Sequence, residues 1–438
     1  MAIINNKSIS IFPLLLSNFI GTISYSIVLP FLVFLVIGFG GNSLIYGIVS
    51  AVYPAFQLIG APILGRWSDI YGRKKILLLS NGGTLVGWII FLSALFLPVV
   101  HVTSIHSSIF GAFVITLPLI VIFVARALDG ITGGNISVAN AYLADISTDN
   151  DRGKNFGKLS ISANLGFIVG PALAGILGGT AYKELLPVIS AVIVSTVAFL
   201  VIGLMLKESK APKESAAITT VTSAAAEKKN INKVFSFECK ECYKTPNPKK
   251  LGYKDVMKIK HVSFLIVLYF FIYLGFNIFY TAFPNHAVVG LKWSVTQMGI
   301  FYAVLSGLMI IIQGPVLQKA LKIFSEEKLV IIGSVILGIN FILFVANSTA
   351  LAYVAAIFFA LGNGLMWPSF MSILSKSAGT VHQGIVQGVA SSFGSIASII
   401  GLIVGGVIYS MIGATTFVVS ATVIFLVFML SFRLLKSK

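Results

Sequence analysis

Apolar letters run along this chain in blocks of 18 or more positions, broken by short charged turns. Twelve blocks stand out: 10–37, 43–65, 76–98, 110–140, 156–181, 184–206, 262–285, 295–318, 328–347, 350–375, 382–409 and 413–432. A helix needs about 20 apolar residues to cross a ~30 Å hydrocarbon layer, and only helices or closed barrels satisfy their backbone there. These runs are too long for barrel strands, so the pattern predicts an all-α membrane protein with twelve transmembrane helices. The first block exceeds a signal-peptide core and is expected to stay as a span.

The polar intervals organise the rest. Lys207 to Lys260 lacks an apolar set large enough for a core and reads as a flexible tether. It divides the chain into a first six-helix unit (1–206), a linker (207–260) and a second unit (261–438). The units are related at a constant offset of 231, which places Gly153 on Gly384, Gly157 on Gly388, Gly170 on Gly401 and Gly175 on Gly406. Two parallel copies of a six-span unit suit a site near the midplane between them.

Charge fixes the expected orientation. Of 438 residues 57% are hydrophobic and 10% charged, and the net charge is +17. With the N-terminus inside, 28 of the 31 Lys and Arg fall in cytoplasmic segments, 13 of them in the linker. The positive-inside rule then places both termini in the cytoplasm of a cell membrane, expected to be the bacterial inner membrane. The excess positive charge is a topological signal and an attraction to anionic lipid headgroups, especially for the linker, and not a nucleic-acid footprint. The Cys239–Cys242 CxxC pair offers two of the four ligands of a structural zinc site, so no metal or cofactor is expected. No Walker loop, nucleophile elbow or HExxH pattern is present, which argues against ATP drive and against an enzyme.

The densest knot of charge is "GRWSDIYGRKK", residues 65–75, between blocks two and three. Gly65, Asp69, Gly72, Arg73 and Lys74 fit G-x-x-x-D-x-x-G-R-[RK], which resembles the loop signature of the major facilitator superfamily. "RALDGITGG" supplies Arg126, Asp129 and Gly130 and resembles that family's R-x-x-x-G element. "GFIVGPALAGILGG", with Gly166, Gly170, Pro171 and Gly175, resembles the antiporter signature G-P-x-x-G-G, with Ala174 replacing one Gly. The chain is most similar to the tetracycline-resistance-like drug:proton antiporters of the superfamily. The resemblance implies two pseudo-symmetric six-helix bundles that work by alternating access.

It also implies roles. Asp69 would face the N-terminal end of span eleven, a helix terminus that attracts negative charge. Arg73 would pair with Asp145, and Lys74 and Arg152 complete this conformational latch. The Pro of span five would bend the helix and its Gly rows would let it pack tightly against a neighbour, a packing that seals against proton leak. Spans one, four, seven and ten would line the cavity, which offers Asn18, Thr22, Tyr25, Asn135, Tyr273, Asn277, Tyr280, Asn363 and Trp367. One departure matters: the related exporters carry an acid nine residues before the Pro of span one, where this chain has Gly21 before Pro30. A metal-bound tetracycline is therefore not the expected cargo.

Among the 14 acids, Asp129 alone lies inside an apolar span. A charge at that depth costs at least ~2.5 kcal/mol, so it marks a pathway, a relay or a counter-ion. Arg126 and Asp129 share a helical face with Gly133, Ser137 and Asn140, and two readings stay open: proton coupling, or a pair that only neutralises itself. The expected function is a monomeric secondary transporter that exports small organic molecules, driven by inward proton flow. A facilitator or importer of a metabolite such as an amino acid or siderophore is the alternative, and a non-transporting membrane sensor a more remote one.

Overall fold

The computed structural model describes residues 10–107, 111–133, 135–147, 149–209, 257 and 261–435. The side chains of Asp69, Asn135, Ser137 and Arg152, and linker residues 210–256 and 258–260 with Cys239 and Cys242, lie outside the described residues.

Helix α1 (Phe12–Ser26) and α2 (Leu32–Gly38) form span one. Spans two and three are α3 (Ser43–Tyr71) and α4 (Arg73–Ala94). A β-hairpin follows, with β1 (His101–Ser107) antiparallel to β2 (Gly111–Thr116). Span four is α5 (Leu117–Ile131) and α6 (Asn135–Ile146), and α7 (Asp149–Gly178) and α8 (Leu185–Met205) complete the first bundle. In the second bundle α9 (Val262–Val289) is span seven. Span eight comprises α10 (Val295–Ile311), a π turn (Ile312–Val316) and α11 (Leu317–Ile323). Helix α12 (Glu326–Leu343) is span nine, α13 (Thr349–Ile412) holds spans ten and eleven, and α14 (Thr416–Leu435) is span twelve.

Among the described residues, eight stretches are long and apolar enough to cross a membrane. The last of them, Val386–Leu435, contains two spans joined at a 3-10 turn, Gly413–Thr415. Spans one and four are divided into shorter pieces, and α12 opens on three charges, Glu326, Glu327 and Lys328. These account for the twelve.

Although numbered as one element of 64 residues, α13 holds two spans. Trp367 and Tyr269 have ring centroids 5.5 Å apart, and a Cβ at Gly394 would touch the same Tyr269 ring. Twenty-seven residues of straight helix would cover ~40 Å, so α13 reverses direction between these two contacts.

Two expected spans differ in detail. Block 10–37 breaks at 27–31, where Pro30 lacks an amide hydrogen and biases Leu29 away from the helix. Block 110–140 begins as a strand, because "GAFVIT" and its partner "HVTSIHS" are rich in β-branched residues, and hydropathy alone does not separate such strands from helix. The hairpin is fastened to the end of α2 by Val114 N–H to Gly40 O at 2.9 Å and Thr116 Oγ1 to Phe39 O at 2.9 Å. The same block also breaks at 132–133, so the continuous face from Arg126 to Asn140 does not exist. Lipid offers no replacement partners, and two neighbours supply them: Gln57 Nε2 donates to Gly133 O at 2.9 Å, and Ser80 Oγ to Thr132 O at 2.5 Å.

Because successive spans reverse direction, the described chain ends share one face of the bundle with the 65–75 turn; we call it the terminal face. The hairpin marks the opposite face. The halves meet near the hairpin face at two glycine crossings, α7 on α10 through Gly175 and Gly299, and α3 on α13 through Gly47 and Gly406. Toward the terminal face Gly65 on α3, Gly314 in the π turn and Gly388 on α13 each have open space where a Cβ would stand.

The repeat of 231 residues is visible in the packing. A Cβ at Gly170 would meet Ser26, Ile23 O and Ile27 N, and one at Gly401 would meet Asn277, Leu274 O and Ile278 N, the same three positions along spans one and seven. Gly175 and Gly406, matched by the same offset, are the α7 and α13 members of the two crossings.

Candidate functional site

Arg126 and Asp129 lie on the last turns of α5, against α3 and α4. Gly130 allows α5 to approach Tyr53 O of α3, and Gly87 allows it to approach α4 beside Asp129. The two charges are 6% and 9% exposed. Asp129 Oδ1 accepts a 2.8 Å bond from Thr84 Oγ1 of α4, while its Oδ2 is 3.8 Å from Arg126 Nη1. That distance is an ion pair without a hydrogen bond. The guanidinium carbon is 5.1 Å from the centre of the Tyr53 ring, within cation–π range. Arg126 Nε is buried with no partner.

Aromatic side chains connect this pair to the space between the halves. Tyr25 lies 5.2 Å from Tyr53 and 6.1 Å from Phe167, and is 37% exposed. It is within electrostatic reach of Arg126, Asp129 and, across the interface, Tyr273. Tyr280, 39% exposed, is within reach of both tyrosines. Tyr273 stacks on Tyr269 at 4.7 Å and meets Trp367 edge-on at 5.5 Å. Tyr25, Tyr273, Tyr280 and Trp367 thus gather around one space, and Asn363 is half-buried one helical turn from Trp367.

Three other cavity candidates serve packing instead. Asn18 donates to Ser162 Oγ at 2.8 Å and Leu159 O at 3.1 Å on α7. Thr22 donates to Asn18 O at 2.7 Å and lies against Gly166. Asn277 donates to Ser398 Oγ at 3.0 Å and Tyr273 O at 2.8 Å. The two amides tie span one to five and span seven to eleven, while the Thr22 hydroxyl bonds within span one.

The turn at 65–75 is clamped from three sides. Gly72 has φ +102°, open only to glycine without strain, and it caps α4. Arg73 Nε lies 3.1 Å from Asp145 Oδ2, with both side chains 10% exposed, and Arg73 Nη1 donates to Ser68 Oγ at 2.5 Å. Glu208, just past α8, accepts from Arg73 N at 2.7 Å and from Lys74 N at 3.2 Å. Its carboxylate caps the positive end of α4. Ser209 Oγ donates to Asp145 Oδ2 at 3.3 Å, and Tyr142 Oη to Lys207 O at 2.6 Å. Sequence reasoning missed Glu208 because no spacing motif links it to residues 135 positions earlier.

A family model described as Major Facilitator Superfamily matches residues 14–316 and 265–438. The chain belongs to the major facilitator superfamily. It is 28% identical over 408 residues to the class H tetracycline resistance protein of Pasteurella multocida, covering 92% of this chain and 90% of that protein. It is 25% identical to the class C tetracycline resistance protein of Escherichia coli (84% and 81% covered) and 24% to multidrug resistance protein 2 of Bacillus subtilis (93% and 90%). Among solved structures, the fold is similar to that of a peptide transporter (TM-score 0.70, 15% identity, 97% and 94% covered). It is also similar to the human organic anion transporter MFSD10 (TM-score 0.63, 18%, 96% and 98%). These relatives and this fold are those of membrane transporters, and the chain is a multi-pass transporter of the superfamily.

Within this superfamily member the second half repeats the clamp with its charges exchanged. Where the first half places Arg73 at the start of span three, Asp145 at the end of span four and Glu208 past span six, the second places Glu326, Lys376 and Arg433. Lys376 Nζ meets Glu326 Oε1 at 2.7 Å, and Ser372 donates to the same oxygen at 2.7 Å. Arg433 stands 5.9 Å over the Phe264 ring. A cation cannot cap the positive end of α12 as Glu208 caps α4, and here a cavity of about 950 Å³ remains, lined in part by His261, Phe264, Glu326, Lys376 and Arg433.

Proposed function

We propose that this superfamily member is a secondary active exporter of small organic molecules in a bacterial inner membrane, working by proton-coupled alternating access. The observation that carries the reading is the buried Arg126–Asp129 pair beside a tyrosine-walled space between two halves that meet near the hairpin face. The bacterial resistance proteins among its relatives support the direction of transport.

The terminal face carries the basic turns, so the positive-inside rule makes it cytoplasmic and makes this conformation inward-facing. Asp129 takes up and releases the proton, held toward α4 by Thr84. Arg126 keeps the carboxylate paired when ionised and faces the cargo. Asp69, at the end of α3, engages the N-terminal end of span eleven when the terminal side closes, while Arg73, Asp145 and Glu208 hold the turn in shape. A differential of a few kcal/mol is enough to decide which state dominates. The linker lies on the anionic inner leaflet, and the protein acts as a monomer.

Reconstitution in vesicles tests this. Asp129→Asn should abolish uphill transport driven by a pH gradient while leaving cargo exchange. Undiminished concentrative transport by the variant would remove Asp129 as the proton carrier. A wild-type flux indifferent to gradients of either sign would instead identify a facilitator.

A further inference from the structure

We propose that the cargo is an amphoteric organic molecule, one that carries both a carboxylate and a protonated amine, and that the two charges seat on Arg126 and Asp129 respectively. The proposal rests on the exporter reading above and specifies the chemistry of its cargo.

The argument begins from unfilled hydrogen-bonding capacity. A guanidinium carries five N–H donors and no acceptor. Among the described residues none of these donors makes a hydrogen bond: Nε is buried without a partner, and Nη1 approaches Asp129 only to 3.8 Å. A pair one helical turn apart that served only to neutralise itself would close to about 2.8 Å and satisfy part of the fork. Asp129 turns one oxygen to Thr84 instead, and its Oδ2 accepts no hydrogen bond among the described residues. Leaving the buried Nε donor unmet at membrane depth is costly, and that cost is relieved when a ligand brings an acceptor.

The missing groups have opposite signs. Arg126 lacks a planar acceptor, for which a carboxylate is the bidentate match, and Asp129 Oδ2 lacks a donor, for which an ammonium is the match. A ligand bearing only one of these would leave the other charge buried and deprived of its counter-ion. A zwitterion replaces a loose internal pair with two hydrogen-bonded pairs and adds no net charge to the site. The neighbouring rings of Tyr53 and Tyr25, and Tyr273 and Tyr280 across the interface, offer apolar faces to the rest of the molecule.

The same arrangement links cargo to proton. An ammonium and a proton compete for one carboxylate, so each displaces the other from Asp129. Exchange in opposite directions follows, with Arg126 anchoring the cargo through the step.

Thermal stabilisation and equilibrium binding of the full-length protein in lipid nanodiscs test the assignment. The probes are three aromatic sets, each as zwitterion, amine and acid: phenylalanine, phenethylamine and 3-phenylpropionate; tryptophan, tryptamine and indole-3-propionate; and the corresponding biphenyl set. In at least one set the zwitterion should bind about thirtyfold more tightly than either singly charged analogue, and Arg126→Gln and Asp129→Asn should each erase that preference. Should Arg126→Gln fail to fold, Arg126→Lys keeps the charge and loses the fork, and about a tenfold loss confined to carboxylate-bearing probes is expected. Amine binding equal to that of the zwitterion, a preference that survives Arg126→Gln, an equal loss for amines in Arg126→Lys, or no binding in all three sets would overturn the proposal. Transport separates it from the exporter reading. Gradient-driven export of simple amines by the wild type at the rate of the matching zwitterions would refute the amphoteric cargo alone, and tight zwitterion binding without any response of flux to pH would refute proton coupling alone.

Discussion

Gly175 on α7 and Gly299 on α10 cross so closely that a Cβ on Gly175 would stand 2.8 Å from the Gly299 Cα. The pseudo-symmetric crossing of Gly47 and Gly406 is similar, with a Cβ on Gly406 3.2 Å from the Gly47 Cα and 2.5 Å from Ser43 O. In both places the obstacle is backbone, which does not swing aside. The hairpin-side closure of the two halves therefore depends on four residues without side chains. Gly175 sits on the same helix as Gly166 and Gly170, which pack on span one, so α7 is fixed to its own half on one face and meets the other half on the next.

Gly175→Leu or Gly406→Val should force the halves apart at the hairpin face and shift the population toward the conformation open there. Spin labels placed near the hairpin-side ends of α3 and α13 should move apart in the variants while the distances within each half stay unchanged. An unaltered distance distribution in both variants would show that the crossings do not limit closure.

The exchanged charge clusters make a contrast of energies. Arg73 and Asp145 give up most of their water on folding and are paired there, and removing one partner of a buried pair costs about 3 to 5 kcal/mol. Asp145→Asn should thus lower thermal stability markedly. Lys376 is 70% exposed, and an exposed pair contributes about 0 to 1 kcal/mol, so Lys376→Ala should leave the melting temperature nearly unchanged. Equal effects of the two variants would refute the asymmetry.

Much of this arrangement was legible in the sequence because a bilayer imposes one rule on every span. Apolar runs located the twelve spans, and the offset of 231 paired Gly170 with Gly401 and Gly175 with Gly406, which the packing upholds. The breaks were harder to see. Pro30 announced one, but the break after Ile131 depends on Gln57 and Ser80 from other helices to accept the interruption, and no local pattern encodes partners that far away. The hairpin was hidden because Val, Ile and Thr score as apolar in any conformation. Asn18 and Asn277 were plausible cavity groups by span and polarity, yet each had a serine one helix away. Arg126 and Asp129 were legible for a different reason: charge inside an apolar run is conspicuous whatever its neighbours are.

Gly72 is a second place where one atom decides the geometry. A Cβ there would meet Glu208 Oε2 at 2.5 Å, and the residue's φ of +102° is unfavourable for any side chain. Gly72→Ala should displace Glu208 from the start of α4 and free the entry to the linker. Limited proteolysis just after residue 209 should accelerate in Gly72→Ala and in Glu208→Ala, and the latter should lose about 1 kcal/mol of stability through the missing cap. Proteolysis at the wild-type rate in both would mean that Glu208 does not hold the linker to the turn.

The interruption of span four should be the sensitive point of the Arg126–Asp129 site. Ser80 Oγ and Gln57 Nε2 occupy the carbonyls of Thr132 and Gly133, one turn beyond Asp129, and Thr132 Oγ1 turns back to Leu128 O at 2.8 Å. Removing Ser80 leaves a buried carbonyl without a partner, which costs about 1 to 3 kcal/mol and can be relieved only if the chain re-forms helix or admits water. Either adjustment rotates the end of α5 and carries Asp129 away from Thr84. Ser80→Ala should therefore impair pH-driven transport more than it impairs stability, whereas Thr84→Val, which removes only the Asp129 contact, should shift the pH profile and leave the fold intact. Measuring both flux and melting temperature for the two variants distinguishes these outcomes, and a Ser80→Ala protein with full flux would show that the break is not coupled to the carboxylate.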